Sequence, residues 1–538
     1  MPRIDAATLS RVLFWVLLLA LCLLSPNRGL WTPDEPREAE IGREMLLSPG
    51  FAPHLNAKPF FEKPPLYYWS LAAAYGATGG PSAAAARAVS GLAALLTLLA
   101  TYFWARRASG ERVAQMAVFM LATSIQFFQC AHWVIMDPLL TLFLTLAYWA
   151  GFEQVSKPCA SALVAFYASL AMALWTKGLI GLALPAAGFL PFFAVGWKAR
   201  AHKPFHPLTG GIALALLAAL CVAIFYLAEG GRAVHEFLWV NQVLRFIHPR
   251  GTGHAQPFYY YVEMVPLVVL PWLAPLVALF TKSFWKMCGE REAPQLRRYL
   301  LCVLLGGFVL LSLASTKRGI YLLPLLPPLF ILLALAMSEA LEERERGVPF
   351  WKKVLIWRIH PILLAVWGAG LPVAVLLYTR SPWPSTLNLL VLGVFAGVLG
   401  IWWAFGEGSD RAWEIQRLSA VVLCVSALGL AVPLLDAQKD MAPFFLWVDR
   451  EMPKGDSVPA VGSDETLCGI IPFVTGRSVA ELRPEDLPGL LAGPAAPSFV
   501  IEQLGASAKG TDFAGSGYAL AGEKQFGAGR KIRLWKRG

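Results

Sequence analysis

Residues 11–37 read RVLFWVLLLALCLLSPNRGLWTPDEPR. The run Val12–Leu24 carries no charge and suits a helix entering a hydrocarbon core about 30 Å thick. Arg11 stands before the run, and Asp34 and Glu35 follow it closely. With Arg3 and Arg11 ahead of it, the run could mimic a secretory signal, but no small-residue cleavage pattern follows. Leu21 stands where a lipoprotein signal, here Leu19-Ala20-Leu21-Cys22, would need a small residue before the cysteine. The segment is therefore expected to stay as a first membrane span.

The rest of the chain repeats this pattern. Of 538 residues 57% are hydrophobic and 15% charged, and the mean hydropathy is +0.55. A soluble protein of this length needs far more charge to cover its surface. Apolar runs of spanning length predict about thirteen transmembrane helices. Their cores fall at 11–26, 84–105, 113–130, 134–152, 160–176, 178–196, 208–228, 259–280, 299–315, 320–338, 356–378, 386–405 and 418–434. The predicted fold class is an all-α polytopic membrane protein, lying in a bilayer and expected to act as a monomer.

The net charge of +11 is a topology signal and not a nucleic-acid one, because no nucleic-acid-binding motif accompanies it. Basic residues gather at Arg106-Arg107 to Arg112, Lys198 to Lys203, Lys282 to Arg298 and Arg344 to Arg358. With these loops inside, the N-terminus is inside and the C-terminus outside. A membrane domain over 1–434 then carries an outer loop at 27–82, and 435–538 forms an outer domain. Ser457–Gly462, Ser498–Gln503 and Lys531–Lys536 read as short strands of a small α/β fold in that tail. Eight cysteines are scattered singly, which supports neither a disulfide framework nor a thiolate metal cluster.

Charges concentrate on the expected outer face. Asp34 and Glu35 sit at the membrane boundary, and Pro36 suits a first helical turn with an acid before it. Arg37 and Glu40, and Glu40 and Glu44, fall on one face of that helix. A solvated helix start is the plain alternative. Phe61-Glu62-Lys63-Pro64-Pro65 is followed by Tyr67, Tyr68 and Trp69, which suit an interface. Lys63, held by two prolines, is well placed to meet a lipid phosphate.

Asp137-Pro138 can be an N-cap and N1 proline, but an acid beside an apolar stretch is expensive unless it faces a cavity or a partner. Lys317-Arg318 and Lys177 lie in outer turns, against the positive-inside rule, and ask for an anion such as a phosphate. The loop 229–258 holds Arg245, His248, Arg250 and His254. Its histidines could ligate a metal with Glu62, although a lone histidine is more often an ordinary hydrogen-bonding residue.

Asp34-Glu35-Pro36-Arg37, the 61–69 segment, Met136-Asp137-Pro138 and the Lys317-Arg318-x-x-Tyr321 turn occur in one order. Together they resemble the bacterial 4-amino-4-deoxy-L-arabinose lipid A transferases and the related protein O-mannosyltransferases. The resemblance implies a GT-C glycosyltransferase fold in the bacterial inner membrane, with the active site and C-terminal domain periplasmic. It implies an undecaprenyl-phosphate sugar donor and lipid A or another envelope acceptor. Asp34 matches the family's first-loop acid and Asp137 its second, with Glu35 beside them as a third catalytic candidate. Lys63 matches a lysine of the lipid-phosphate site and Tyr321 its aromatic companion. Arg37, Tyr67, Lys177, Arg245, Lys317 and Arg318 complete the expected phosphate- and substrate-binding set. Glu62 and His254 correspond to positions that hold a divalent metal, zinc or magnesium, in a relative.

Transfer from a polyprenyl phosphate passes through an oxocarbenium-like transition state. The leaving phosphate gains charge that Lys63, Lys317 and Arg318 could offset, so no metal cofactor is required. Asp34 would act as a base toward a hydroxyl acceptor, or as an anchor if the acceptor is already a phosphate anion. One-step inversion is expected. Protein O-glycosylation is the alternative activity. A lipid-linked sugar flippase is a distant one, since transporters bury charge mid-span and these charges gather at one face.

Overall fold

The computed structural model describes residues 6–24, 28–195, 205–247, 255–279 and 294–343, the single residues 370, 373 and 391, and 409–538 except 456, 484, 495, 506–509, 512 and 527–529. The expected spans at 356–378 and 386–405 lie almost wholly outside these residues. The chain forms two compact units. One takes residues up to 25, 61–67 and 87–431, and the other takes 26–60, 68–86 and 432–538. The outer loop, expected as an appendage of the membrane domain, thus supplies most of its length to the unit that holds the C-terminal sheet.

The first unit is helical. Its elements include α1 (Ala6–Leu23), the greater part of α4 (Ala83–Ser109), α5 (Glu111–Ala122), α6 (Ile125–Ala131), α7 (Asp137–Ser156), α8 (Ala160–Lys177), α9 (Ile180–Val195) and α10 (Pro207–Val234). After these come α11 (Tyr260–Val268), α12 (Leu273–Ala278), α13 (Pro294–Leu313), a 3-10 turn Gly319–Leu325, α14 (Leu326–Glu343) and α15 (Ser409–Ser426). Five helices among the described residues are long and apolar enough to cross a membrane, or six if α5 and α6 make one bent span. Close approaches of α9 to α8 and α13 rest on glycines, as expected where helices gain nothing from burying apolar surface against lipid. A Cβ on Gly188 would lie 2.7 Å from Val303 Cα, and one on Gly181 would lie 2.5 Å from the Ala173 carbonyl carbon. Buried Thr97, Thr101, Thr141 and Thr145 return their hydroxyls to carbonyls four residues back, which satisfies them without a partner helix.

Two expected spans are broken. The run 113–130 divides into α5 and α6, inclined at 68°. Thr123 and Ser124 turn their hydroxyls back onto the Phe119 and Leu121 carbonyls, and Ile125 N–H donates to the Leu270 carbonyl at 2.7 Å. The run 259–280 breaks between α11 and α12, where Trp272 Nε1 donates to Thr123 Oγ1 at 3.0 Å. Each break therefore satisfies polar groups exposed by the other, which is the condition for irregular backbone at such a depth.

The second unit is built on a five-stranded sheet. Its strands are β3 (Ser457–Val461), β4 (Ser478–Leu482), β5 (Phe499–Leu504), β6 (Tyr518–Phe526) and β7 (Arg530–Arg537), in the order β4-β3-β5-β7-β6. β4, β3 and β5 are parallel, while β7 runs antiparallel to β5 and β6. Three strands coincide with the expected patches. β4 and β6 were not expected. After α16 (Val432–Lys439) and α17 (Ala442–Glu451), α18 (Glu465–Thr475) makes the crossover from β3 to β4. Asp464 caps it by accepting from Thr466 and Leu467 N–H, and Gly476 ends it at φ +77°.

From the first loop come α2 (Asp34–Leu47), the hairpin β1 (His54–Leu55) and β2 (Lys58–Pro59), and most of α3 (Leu66–Ala77). The hairpin turn docks through Asn56, whose amide donates to the Val479 carbonyl at 2.8 Å and accepts from Val479 N–H at 2.7 Å. It thereby continues the edge of β4 with a side chain in place of backbone. α2 packs on α18 so closely that a Cβ on Gly469 would stand 2.5 Å from the Pro36 carbonyl carbon.

Candidate active site

The expected residues fall in both units. In the helical unit, Asp137 opens α7, with Pro138 in the first turn where a missing N–H costs nothing. Its carboxyl is buried, at 3% exposure. α7 and α8 form a hairpin, so the end of α8 returns to the start of α7. Lys177, the last residue of α8, places Nζ 2.5 Å from Asp137 Oδ1. The same ammonium lies 4.6 Å from the centroid of Tyr321, on the 3-10 turn that packs against α7. One acid, one cation and one phenol ring, from three separate elements, thus meet. Lys177 was expected to bind phosphate directly. Its charge is instead neutralised by Asp137, which suits it to orient that acid.

Lys317 is also buried. Its ammonium donates to the Gln256 carbonyl at 2.9 Å and to the Ala314 carbonyl. Burial lowers its pKa below the ordinary lysine value. Arg318 adds a second, half-buried cation, and its carbonyl accepts from Tyr261 Oη at 3.4 Å. Lys63 and Glu62 are neighbours in space as well as in sequence, with 3.7 Å between Nζ and Oε2. Tyr67 is fully buried.

Glu62 shares its carboxylate with that ammonium, and no group of three His, Cys, Asp or Glu able to hold a metal exists among the described residues. His254 lies outside the described residues, as does the side chain of Arg245.

In the second unit, α2 is a polar helix with most of its first three turns buried: Asp34, Glu35, Glu38 and Glu40 are each at most 9% exposed. Buried carboxylates need partners, and each has one here. Arg43 forks onto Glu40 at 2.6 and 2.7 Å, so Glu40 pairs with Arg43 and not with Arg37 as its face suggested. Arg28 forks onto Glu35 at 2.6 and 3.0 Å, and the Trp31 N–H donates to Glu35 Oε2 at 2.7 Å. Arg28 also stacks 3.9 Å above the Trp31 ring, whose Nε1 donates to Asp436. Both Glu35 oxygens are thus engaged in tying residues 28–35 together. Glu35, expected as a third catalytic candidate, is thus engaged in holding this segment.

Asp34 has a different setting. Arg37 reaches it at 3.5 Å, Glu38 at 2.5 Å and Glu465, at the start of α18, at 2.6 Å. Burial alone would lower the Arg37 pKa, but Glu38, Glu465 and Asp34 outweigh it and raise it well above the ordinary arginine value. For Glu38, burial raises the carboxyl pKa and prevails over the opposing pull of Arg37. Arg37, expected in the phosphate-binding set, thus has three carboxylates around it. Reading the sequence alone missed Arg28, Glu38, Gln256 and Glu465. Only Arg28 left a signal, as a cation beside a membrane boundary near two acids.

The sequence model of the dolichyl-phosphate-mannose-protein mannosyltransferase family matches residues 62–225. A protein of Edwardsiella ictaluri, an undecaprenyl phosphate-alpha-4-amino-4-deoxy-L-arabinose arabinosyl transferase, is 30% identical over 458 residues, covering 79% of this chain and 78% of that one. A protein of Aeromonas salmonicida with the same designation is 29% identical over 482 residues, covering 87% and 85%. The crystal structure of ArnT from Cupriavidus metallidurans bound to undecaprenyl phosphate superposes with a TM-score of 0.76 over 98% of each chain at 19% identity, which establishes a shared fold. The buried acid–lysine pair and the acidic first-loop helix are thus set in a fold of known type. With 30% identity to a relative of which it covers 78%, this chain belongs to the undecaprenyl phosphate-4-amino-4-deoxy-L-arabinose arabinosyl transferase family and is a glycosyltransferase.

Proposed function

We propose that this enzyme moves 4-amino-4-deoxy-L-arabinose, or a closely similar sugar, from undecaprenyl phosphate to lipid A at the periplasmic face of the bacterial inner membrane. The observation that carries this reading is the 30% identity, across 78% of its length, to a relative so designated. The Asp137–Lys177–Tyr321 cluster beside the cations Lys317 and Arg318 supports it chemically.

The leaving group is a phosphate monoester, whose growing charge favours nearby ammonium and guanidinium groups. Lys63, Lys317 and Arg318 fill that role in this reading. Asp137, held by Lys177, would receive the sugar's amino group or orient the acceptor, and Asp34 would serve the acceptor as base or anchor. These cations make a metal cofactor unnecessary. Attack from the face opposite the departing phosphate inverts C1 in one step. Thirteen spans with a cytoplasmic N-terminus would place the first loop and the C-terminal domain outside.

The test is purified enzyme given undecaprenyl-phosphate aminoarabinose and lipid A. Aminoarabinose-modified lipid A with inverted anomeric configuration, formed equally in the presence of chelator, is the expected product. Transfer to a protein hydroxyl in preference to lipid A would replace this reading with protein glycosylation, the activity of the family whose model matches 62–225.

A further inference from the structure

Lys177 is held at its tip and at its base. The ammonium meets Asp137 at 2.5 Å and the Tyr321 ring centroid at 4.6 Å, while the backbone of the same residue closes α8. A helix end frays unless its free polar groups find partners, and a lysine tip moves with its Cα. The turn that follows, Gly178-Leu179, therefore decides how steadily the ammonium stands beside Asp137.

That turn is fixed by a distant part of the chain. Beyond Gly230, whose φ of +66° turns the chain, His235–Leu244 forms a π-helical stretch that folds back on α10, with the Phe237 ring centroid 4.4 Å from that of Phe225. Such geometry is rare and gathers at functional sites. From this stretch Gln242 Oε1 accepts the Leu179 N–H at 3.0 Å. The Leu179 carbonyl already accepts from Leu182 and Ala183 N–H, so Leu179 opens α9 and its own N–H needs an acceptor from elsewhere. Gln242 thus caps α9 with a side chain from another element.

The carboxamide occupies the space beside Gly178. Gln242 Cδ and Nε2 are each 2.8 Å from where a Gly178 Cβ would stand. Gly178 also holds φ +78°, so glycine is required there both for space and for conformation. On the other side of Lys177, Trp175 Nε1 donates to the Leu217 carbonyl of α10 at 3.2 Å. α10 and the stretch that returns along it therefore grip the chain two residues before Lys177 and two residues after it.

We propose that Gln242 is a positioning residue of the transferase: by capping Leu179 over Gly178 it fixes the α8–α9 turn, and through that turn the Lys177 ammonium on Asp137. The loop 229–258 then serves the reaction through a neutral side chain as well as through the basic residues that its sequence displays. The inference rests on the reading of the Asp137–Lys177 pair as part of the substrate site.

The test uses full-length enzyme carrying Gln242→Met, which keeps the length of the side chain and loses the acceptor. Amide hydrogen exchange should quicken at residues 177–180, and kcat should fall about tenfold with donor KM within about threefold, as for a small displacement of a reacting group. An unchanged melting temperature shows that the effect is local. Gln242→Glu keeps an acceptor oxygen and should hold kcat within about threefold of wild type. In the Lys177→Met background, measured per folded molecule, Gln242→Met should cost no further kcat. Unchanged exchange or unchanged kcat in Gln242→Met overturns the proposal and leaves the transferase reading intact, as does a full further loss in the Lys177→Met background. A loss carried by donor KM alone would place Gln242 on the substrate and overturns positioning. A loss in Gln242→Glu as large as that in Gln242→Met also overturns it, since the acceptor is retained. Wild-type kcat in Lys177→Met overturns the role of the pair, and this proposal with it. Should Gln242→Met melt early, Gln242→Asn decides, because its shorter arm stays polar but falls short of Leu179. A lowered kcat there supports positioning, and an unchanged kcat overturns it.

Discussion

Lys177 Nζ and Asp137 Oδ1 lie 2.5 Å apart, with side chains only 14% and 4% exposed. A buried pair of this kind loses more when one partner is removed than when both are, because the survivor keeps an uncompensated charge. Lys177→Met is therefore expected to destabilise the enzyme by about 3 kcal/mol or more. Lys177→Met combined with Asp137→Asn should be milder than Lys177→Met alone. Thermal unfolding in detergent compares the three, and a double variant at least as unstable as the single would contradict the pairing.

Arg28 and Glu35 make the second such pair, with side chains 3% and 2% exposed. Where Glu35 serves to hold the loop, Arg28→Met should act on stability and spare chemistry. A loss of about 3–5 kcal/mol is expected, together with turnover per folded molecule close to wild type. Unfolding midpoints and active-fraction titration check both halves. A stable variant with a collapsed kcat would return Glu35 to the catalytic group.

The β1–β2 turn offers a stabilising change. Asn56 and Ala57 sit at φ +56° and +58°. Two successive left-handed residues make a type I′ turn, in which Gly is favoured at the second position. The Ala57 Cβ costs about 1 kcal/mol there, part of which the greater freedom of glycine in the unfolded chain would cancel. Ala57→Gly should still raise stability by roughly 0.5 kcal/mol. Its N–H would continue to donate to Glu44. A lowered denaturation midpoint would show that the turn relaxes in some other way.

Much of this was legible in the amino-acid order, and the exceptions have physical causes. Span-length apolar runs located α1, α4, α7, α8, α9, α10, α13 and α14, because a bilayer demands unbroken apolar length. They concealed the breaks after Ala122 and Val268, where the composition stays apolar while Thr123, Ser124 and Trp272 redirect hydrogen bonds. In the tail, β5 is buried along nearly its whole length and was evident, whereas β6 is largely exposed and polar and was not. Asp34, Asp137, Lys177 and Lys317 stood out as charges in costly places. Their partners did not, since nothing in the order of residues links Arg37 to Glu465, 428 positions away. A charge set against the solvent rules marks itself, but the group that neutralises it is chosen by tertiary structure.

Lys317 carries a prediction in pH. Burial holds its pKa below the ordinary value of 10.5, so it sheds its proton earlier than a solvated lysine as pH rises. Below that lowered pKa the ammonium is present and attracts the donor phosphate, and above it the attraction is lost. Donor KM should therefore climb in the alkaline range, before pH 10.5, while acceptor KM changes less. Arginine stays charged throughout, so Lys317→Arg should flatten the climb, although its larger fork disturbs the contacts to Gln256 and Ala314 and lowers kcat. Lys317→Met should show a high donor KM at every pH. Initial-rate measurements from pH 7 to 10 on the three enzymes separate these cases. An alkaline rise in donor KM that persists unchanged in Lys317→Arg would assign the titration to another group.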